Sequence, residues 1–264
     1  MNKSFLRLNI FAASALVLSF IAAAKPALAD SLNITYYTIG ETDKDANHLA
    51  GGLFTNEVQS TLGVNGLPVL NTAAFGCTMN CYSPVGAPTD VLSDGEITYW
   101  SPTLNNGGAK GASDVTQTGT GVVTIPYTNN AFFPPNGGGS NDENGFQAAE
   151  LYGTIDAPTS ETIGFSIGSD DMAFLYLDGT LQCSDGGVHA NSSVPCTTST
   201  IAAGTHTIQL FFVDINNVAA ALDFSITTEG ITTAPSSVPE PGTFALLGTG
   251  LLGAAGAFRR RFAR

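Results

Sequence analysis

The sequence predicts an all-β fold, a single β-sandwich, on three observations. Short alternating runs of β-branched and aromatic residues dominate the middle of the chain, turn residues bound each run, and no long amphipathic helical pattern interrupts them. The runs lie at 32–36, 121–125, 162–167, 173–177, 205–212 and 221–226. Asp178-Gly179 falls between the fourth run and the chain that follows, and Asp-Gly is a hairpin turn signal. Many short strands with regular turn signals point to a sandwich or barrel. Asn105-Asn106-Gly107-Gly108 and the Pro/Gly-rich stretch 134–139 are loop compositions in the first half. His48 stands alone in a polar loop and reads as solvated.

The two ends read as addresses rather than as parts of the fold. Lys3 and Arg7 precede an apolar stretch at 10–24, and Ala27-Leu28-Ala29 forms a small-residue cleavage site. This is a signal peptide over residues 1–29, cut by signal peptidase between Ala29 and Asp30. At the other end, Val238-Pro239-Glu240-Pro241 precedes an apolar, Gly-rich span at 244–258, followed by Arg259-Arg260-Arg261. As a helix that span reaches about 22 Å, short of a bilayer core of about 30 Å. The arginines would hold it on the cytoplasmic side. The order of parts resembles the PEP-CTERM sorting tail of bacterial surface proteins, which an exosortase reads and cleaves.

The organisation that follows is a signal peptide (1–29), a β-sandwich (30–229), a Thr/Ser/Pro-rich linker (230–237) and a sorting tail (238–264). The apolar part of the tail is expected as a transmembrane sorting helix. The resemblance implies export, transient inner-membrane association during sorting, and then a place on the cell surface or in the extracellular matrix. The implied processing partners are signal peptidase and an exosortase-type enzyme.

Setting the ends aside changes the charge. The whole chain carries a formal −13. Of its 9 Lys and Arg, Lys3, Arg7, Lys25 and the four tail arginines lie in the end segments, leaving Lys44 and Lys110. All of the 22 acidic residues except Glu240 remain, so the interior segment stands near −19. Nucleic acid is excluded as a partner, because nothing would neutralise phosphates. Such a surface repels copies of itself and attracts divalent cations.

Export makes disulfides the expected state of the four cysteines. We expect local pairing, Cys77 with Cys81 and Cys183 with Cys196. The second bridge closes a short loop, worth about 3 kcal/mol by chain entropy. A zinc site is disfavoured because the Cys-x-x-Cys spacings are absent.

Residues 161–227 carry the most informative motifs. Phe165-Ser166-Ile167-Gly168-Ser169-Asp170-Asp171 leads into the aromatic run ending at Leu177-Asp178-Gly179. Asp185-Gly186-Gly187-Val188-His189 follows, then Ala203-Gly204-Thr205-His206 ahead of an apolar strand. This series resembles the protective-antigen (PA-fourteen) domain, in particular its fibro-slime branch, whose fold is a β-sandwich. In lectin members of that family an adjacent Asp pair, joined by a cis peptide, binds calcium, and the calcium contacts sugar hydroxyls. Neighbouring strand residues point to opposite faces, and a cis bond brings two adjacent carboxylates to the same side.

The resemblance therefore implies calcium as a cofactor at Asp170 and Asp171. A side-chain ligand is expected from Asn216 or Asn217, in a loop taken to lie between the last two strands. Asp185 and His189 are candidate ligand-binding residues beside it, although His189 in its Gly-rich turn also reads as structural. His206, in an alternating strand, reads as a hydrogen-bonded structural histidine. Asp43-Lys44-Asp45-Ala46-Asn47 begins like a calcium loop, but its sixth position is His48 and its twelfth is Phe54, so it reads as an acidic loop.

Gly164-Phe165-Ser166-Ile167-Gly168 matches the G-x-S-x-G pattern, but strand alternation runs through the serine where a nucleophile elbow needs a turn into a helix. The chain reads as non-enzymatic. The expected function is that of an exported surface or matrix protein with calcium-dependent glycan binding or adhesion, its partners glycans or exopolysaccharide. The alternatives are a purely structural matrix component without ligand and, with less support, a secreted carbohydrate-active enzyme.

Overall fold

The computed structural model describes residues 30–40, 53–72, 90–105, 113–129, 146–216 and 219–236. The signal segment with Ala29, the acidic run at 43–47, His48, Cys77, Cys81, Asn217 and the sorting tail from Val238 to Arg264, with its expected helix, lie outside the described residues.

The described residues form strands and no helix. The strands are β1 (Ser31–Ile39), β2 (Val115–Thr124), β3 (Tyr127–Asn129), β4 (Phe146–Ala157), β5 (Gly164–Asp170) and β6 (Met172–Leu177). They continue as β7 (Thr180–Asp185), β8 (Ser192–Thr197), β9 (Gly204–Val213), β10 (Ala221–Ile226) and β11 (Thr232–Pro235). The larger sheet runs β2-β1-β4-β9-β6-β7 with β11 also on β4, and the smaller runs β3-β10-β5-β8. The strand pairings are antiparallel. This is the two-sheet sandwich that the alternation predicts.

Alternation also explains why the larger sheet is buried on both faces. Leu175, Leu177, Leu210 and Phe212 point between the sheets, where they meet Phe165, Ile167, Leu222 and Phe224 of the smaller sheet. Their neighbours Phe174, Tyr176, Phe211 and Val213 point the other way. There they are covered by Val58, Leu67, Leu70, Ile97, Tyr99 and Trp100, from the turn-rich first half. Trp100 donates its Nε1–H to the carbonyl of Phe212 at 2.7 Å and sets its ring edge-on to Phe211 at 5.2 Å. Each large apolar side chain buried this way contributes about 1.5–3 kcal/mol. The first half therefore caps the sheet instead of merely looping past it.

The reading of 230–237 as a linker is corrected: Thr232–Pro235 form β11. β1 pairs with β4 only as far as Tyr152, and β11 takes Gly153 to Asp156 on the same side. The backbone groups of that half of β4 need partners. Pro235 sits at the end of an edge strand, where its missing N–H costs nothing. Thr and Pro in such a strand look, by composition, like a linker. The sandwich thus extends past residue 229.

The hairpin signal is realised at the β6–β7 turn, where Asp178 and Gly179 both take positive φ, 49° and 72°. The Asp178 carboxylate accepts the Thr207 N–H at 2.8 Å and faces His206 Nδ1 at 2.6 Å. His206 also reaches the Ala202 carbonyl at 3.0 Å, so it staples the turn to β9. The Cys183–Cys196 bridge is formed, with Cα atoms 5.7 Å apart. It joins β7 of the larger sheet to β8 of the smaller one.

Candidate functional site

Two crossings between the sheets lie side by side at one end of the sandwich. β5 ends at Asp170 in the smaller sheet and β6 begins at Met172 in the larger one, so Asp171 alone makes the corner. β9 ends at Val213 and β10 begins at Ala221, so the segment after Val213 makes the return crossing. Strand register locks the two together: Asp170 pairs with Ala221 and Met172 with Val213. The Asp170–Asp171 peptide is cis. Because β11 follows, the return crossing joins β9 to β10, not the last two strands.

Asp171 is fully buried. Its Oδ2 accepts the backbone N–H groups of Ile215 and Asn216, each at 2.9 Å. Its Oδ1 is buried with no hydrogen-bond partner. Burial pushes the Asp171 carboxyl above the usual carboxylate range, although the backbone N–H groups of Ile215 and Asn216 and the neighbouring Asp214 side chain pull the other way. Ligand oxygens of Asp170, Asp171 and Asp214 lie within 4.8 Å of one another. Two oxygens bound to one calcium at about 2.3–2.6 Å each can be no farther apart than about 5 Å, so the three carboxylates are close enough to share an ion. Their donors are hard oxygens, the calcium preference, with no thiolate or imidazole among them.

Asp214 is the residue that the sequence reading passed over. Its only sequence signal is a carboxylate at the start of the return loop. Asn216 is present at the site, but its assigned contacts there are backbone: its N–H serves Asp171 and also Oδ1 of Asp214, at 3.2 Å.

Asp185 and His189 sit behind the cluster. Asp185 is fully buried, and its Oδ2 accepts the Ser169 N–H at 3.1 Å and the Ser169 hydroxyl at 2.7 Å. The same hydroxyl lies 2.7 Å from the Asp171 carbonyl. His189 Nε2 is 3.2 Å from Asp185 Oδ1, and its Nδ1 is 3.0 Å from the Ala190 carbonyl. Both ring nitrogens face oxygens, which favours the imidazolium. The Asp185 carboxylate raises the His189 pKa to about 9, against the opposing effect of burial. Asp185 stands between Ser169 and His189, so the histidine does not touch that hydroxyl. Ser166, the centre of the G-x-S-x-G match, lies within β5 and its hydroxyl faces Ser193 at 2.6 Å.

The described residues thus define a two-sheet β-sandwich with an acidic site at its crossings. Residues 237–261 match the PEP-CTERM protein-sorting motif, which marks the chain as exported with a C-terminal sorting tail. No curated protein matches. Similar solved structures include a PA14 sugar-binding domain from an RTX adhesin (10% identity, 78% of this chain and 96% of that chain, TM-score 0.35). They also include the Epithelial Adhesin 6 A domain from Candida glabrata, in complex with Galb1-3GlcNAc (11% identity, 82% and 92%, TM-score 0.39). A third is an anti-sigma factor domain-containing protein (19% identity, TM-score 0.34), where the likeness spans 46% of this chain and 43% of that one.

Proposed function

We propose that this exported protein works at the cell surface or in the matrix by holding a calcium ion between Asp170, Asp171 and Asp214, and by binding glycan hydroxyls through that ion. The observation that carries the reading is the fully buried Asp171 carboxylate, whose Oδ1 has no hydrogen-bond partner and which has an oxygen within 4.8 Å of oxygens of Asp170 and Asp214. A buried carboxylate with one oxygen left without a hydrogen bond is costly, and a divalent cation would offset that cost. Bound calcium would supply coordination positions for sugar hydroxyls. The chain's own residues shape the site: Ile215 and Asn216 orient Asp171, while Asp185 and Ser169 brace the corner from behind. The motifs shared with PA-fourteen lectins support the same assignment. The exosortase-type enzyme and signal peptidase belong to this reading as processing partners.

Calorimetric titration of the full chain with calcium tests the ion, with Asp171→Asn as the comparison. Glycan-array binding with and without a chelator tests the sugar. No binding by the unaltered chain, or equal binding by the variant, rejects the calcium site. Calcium binding with a blank array would leave a structural matrix protein with a stabilising ion.

A further inference from the structure

Among the described residues the edge strands differ in how their outer edges are closed, and β11, the edge strand on β4, has only 4 residues and ends in Pro235. The edge of β7 is covered: Leu181 donates its N–H to the Ser60 carbonyl at 2.8 Å, and Phe54 and Gly186 exchange backbone bonds at 2.8 and 3.1 Å. β8 carries Pro195 and the disulfide to β7. β3 is only 3 residues long and follows the cis Ile125–Pro126 bond. Proline, short length and a covering loop are ordinary ways to keep an edge from pairing with another chain.

Among the described residues β2 has none of these protections. It runs for 10 residues, Val-Thr-Gln-Thr-Gly-Thr-Gly-Val-Val-Thr, with no proline and no charge. It is the last strand of the larger sheet, and among the described residues only β1 pairs with it. Val122 is 61% exposed. A bulge at Thr118, opposite the Tyr36–Tyr37 step, interrupts the first part of the strand, and the ladder is regular from Gly119 to Thr124. β1, the neighbour, is also free of charged residues.

Charge selects the partner for this edge. A segment near −19 repels copies of itself over most of its surface. The β1 and β2 strands themselves carry no charged residue, so pairing along them sets no strand carboxylate against another. Two identical antiparallel edges are self-complementary about a two-fold axis, and strand addition satisfies their open N–H and C=O groups. We infer that β2 is a homotypic pairing edge, through which a second copy of this chain joins the two larger sheets into one continuous sheet. This does not depend on calcium or glycan binding.

Sedimentation velocity on the full chain in detergent, over a range of protein and salt concentrations, tests the inference. Thr120→Lys/Val122→Lys is compared with a control, Val64→Lys/Thr159→Lys, at exposed positions elsewhere. Both pairs add the same positive charge, so general charge-limited association would rise equally in both. Edge pairing predicts dimers that tighten with salt, a control at least as tight, and a β2 variant at least tenfold weaker, its melting temperature unchanged at concentrations where both chains are monomeric. Amide exchange then reads the edge directly: protection that grows with protein concentration should centre on residues 119–124. A monomeric wild type at every concentration, a β2 variant that associates like the control, or protection gained only elsewhere overturns the inference.

Discussion

Asn216 donates its backbone N–H to Oδ2 of Asp171 at 2.9 Å, so the return loop holds the carboxylate that forms the opposite corner. The bond, with that from Ile215, occupies Oδ2 of Asp171 and leaves Oδ1 without a hydrogen-bond partner. Two crossings far apart in sequence are thereby one unit, and each orders the other.

Asp171→Asn is expected to stabilise the protein in the absence of divalent cations. The amide oxygen can still accept from Ile215 and Asn216, while the buried charge beside Asp170 and Asp214 is removed. We expect a gain of about 1 kcal/mol at neutral pH, within the usual range for relieving a buried polar mismatch. Calcium at a hundredfold over Kd should stabilise the unaltered chain by about 2.7 kcal/mol, or about 5–10 °C in Tm for a domain of this size, and should leave the variant unmoved. Thermal melts with chelator and with calcium measure both effects. A variant that melts lower without calcium and still responds to it contradicts the prediction.

His189 sets a pH dependence. Its folded-state pKa is raised to about 9, chiefly by Asp185 beside it and with a further contribution from Asp171, over an ordinary value of 6.5. A raised histidine stabilises the fold fully below its unfolded pKa and loses that contribution as pH rises through the folded one. Stability should therefore fall between about pH 6.5 and 9, and His189→Gln should flatten that slope. Chemical denaturation midpoints across this range decide it. Equal slopes in both proteins would show that the imidazolium contributes nothing.

Loss of the Cys183–Cys196 bridge should cost about 3 kcal/mol, from the loop it closes in the unfolded chain. The double substitution Cys183→Ser/Cys196→Ser should lower Tm while the strands persist, since circular dichroism reports the sheets and not the bridge. An unchanged Tm would mean that the two edge strands are held by packing alone.

Gly153→Ala should detach β11. A Cβ there would fall on the Ala234 carbonyl and lie 2.7 Å from Leu32 Cδ2. The expected cost is about 1–3 kcal/mol, as for other overpacked sites. Limited proteolysis should then cut within 230–236, where the unaltered protein resists. Identical digestion patterns would argue that the segment behaves as a linker after all.

Pattern alone reached the sandwich because alternation is local: each of β1, β5, β6, β9 and β10 places apolar residues on a face with period two. The same pattern could not say what covers the second face of the larger sheet. Phe174 and Tyr176 read as part of one apolar run, and their cover arrives from Val58 to Trp100, a stretch without periodicity. β7 and β8 were masked by their polar residues and β11 by its Thr and Pro. The Asp170-Asp171 pair was legible because its residues are adjacent. Asp214 was not, because only strand register, Met172 on Val213 and Asp170 on Ala221, brings it to them.

The sequence by itself determined the all-β class, the acidic interior, the sorting tail and the candidate Asp pair, all of which depend on residue type or short-range order. Tertiary structure decided which loop meets that pair, which strand closes β4 and which strand, among the described residues, ends the larger sheet beside β1. Those are outcomes of long-range pairing, where backbone groups seek partners and side chains seek cover across separations that no local pattern records.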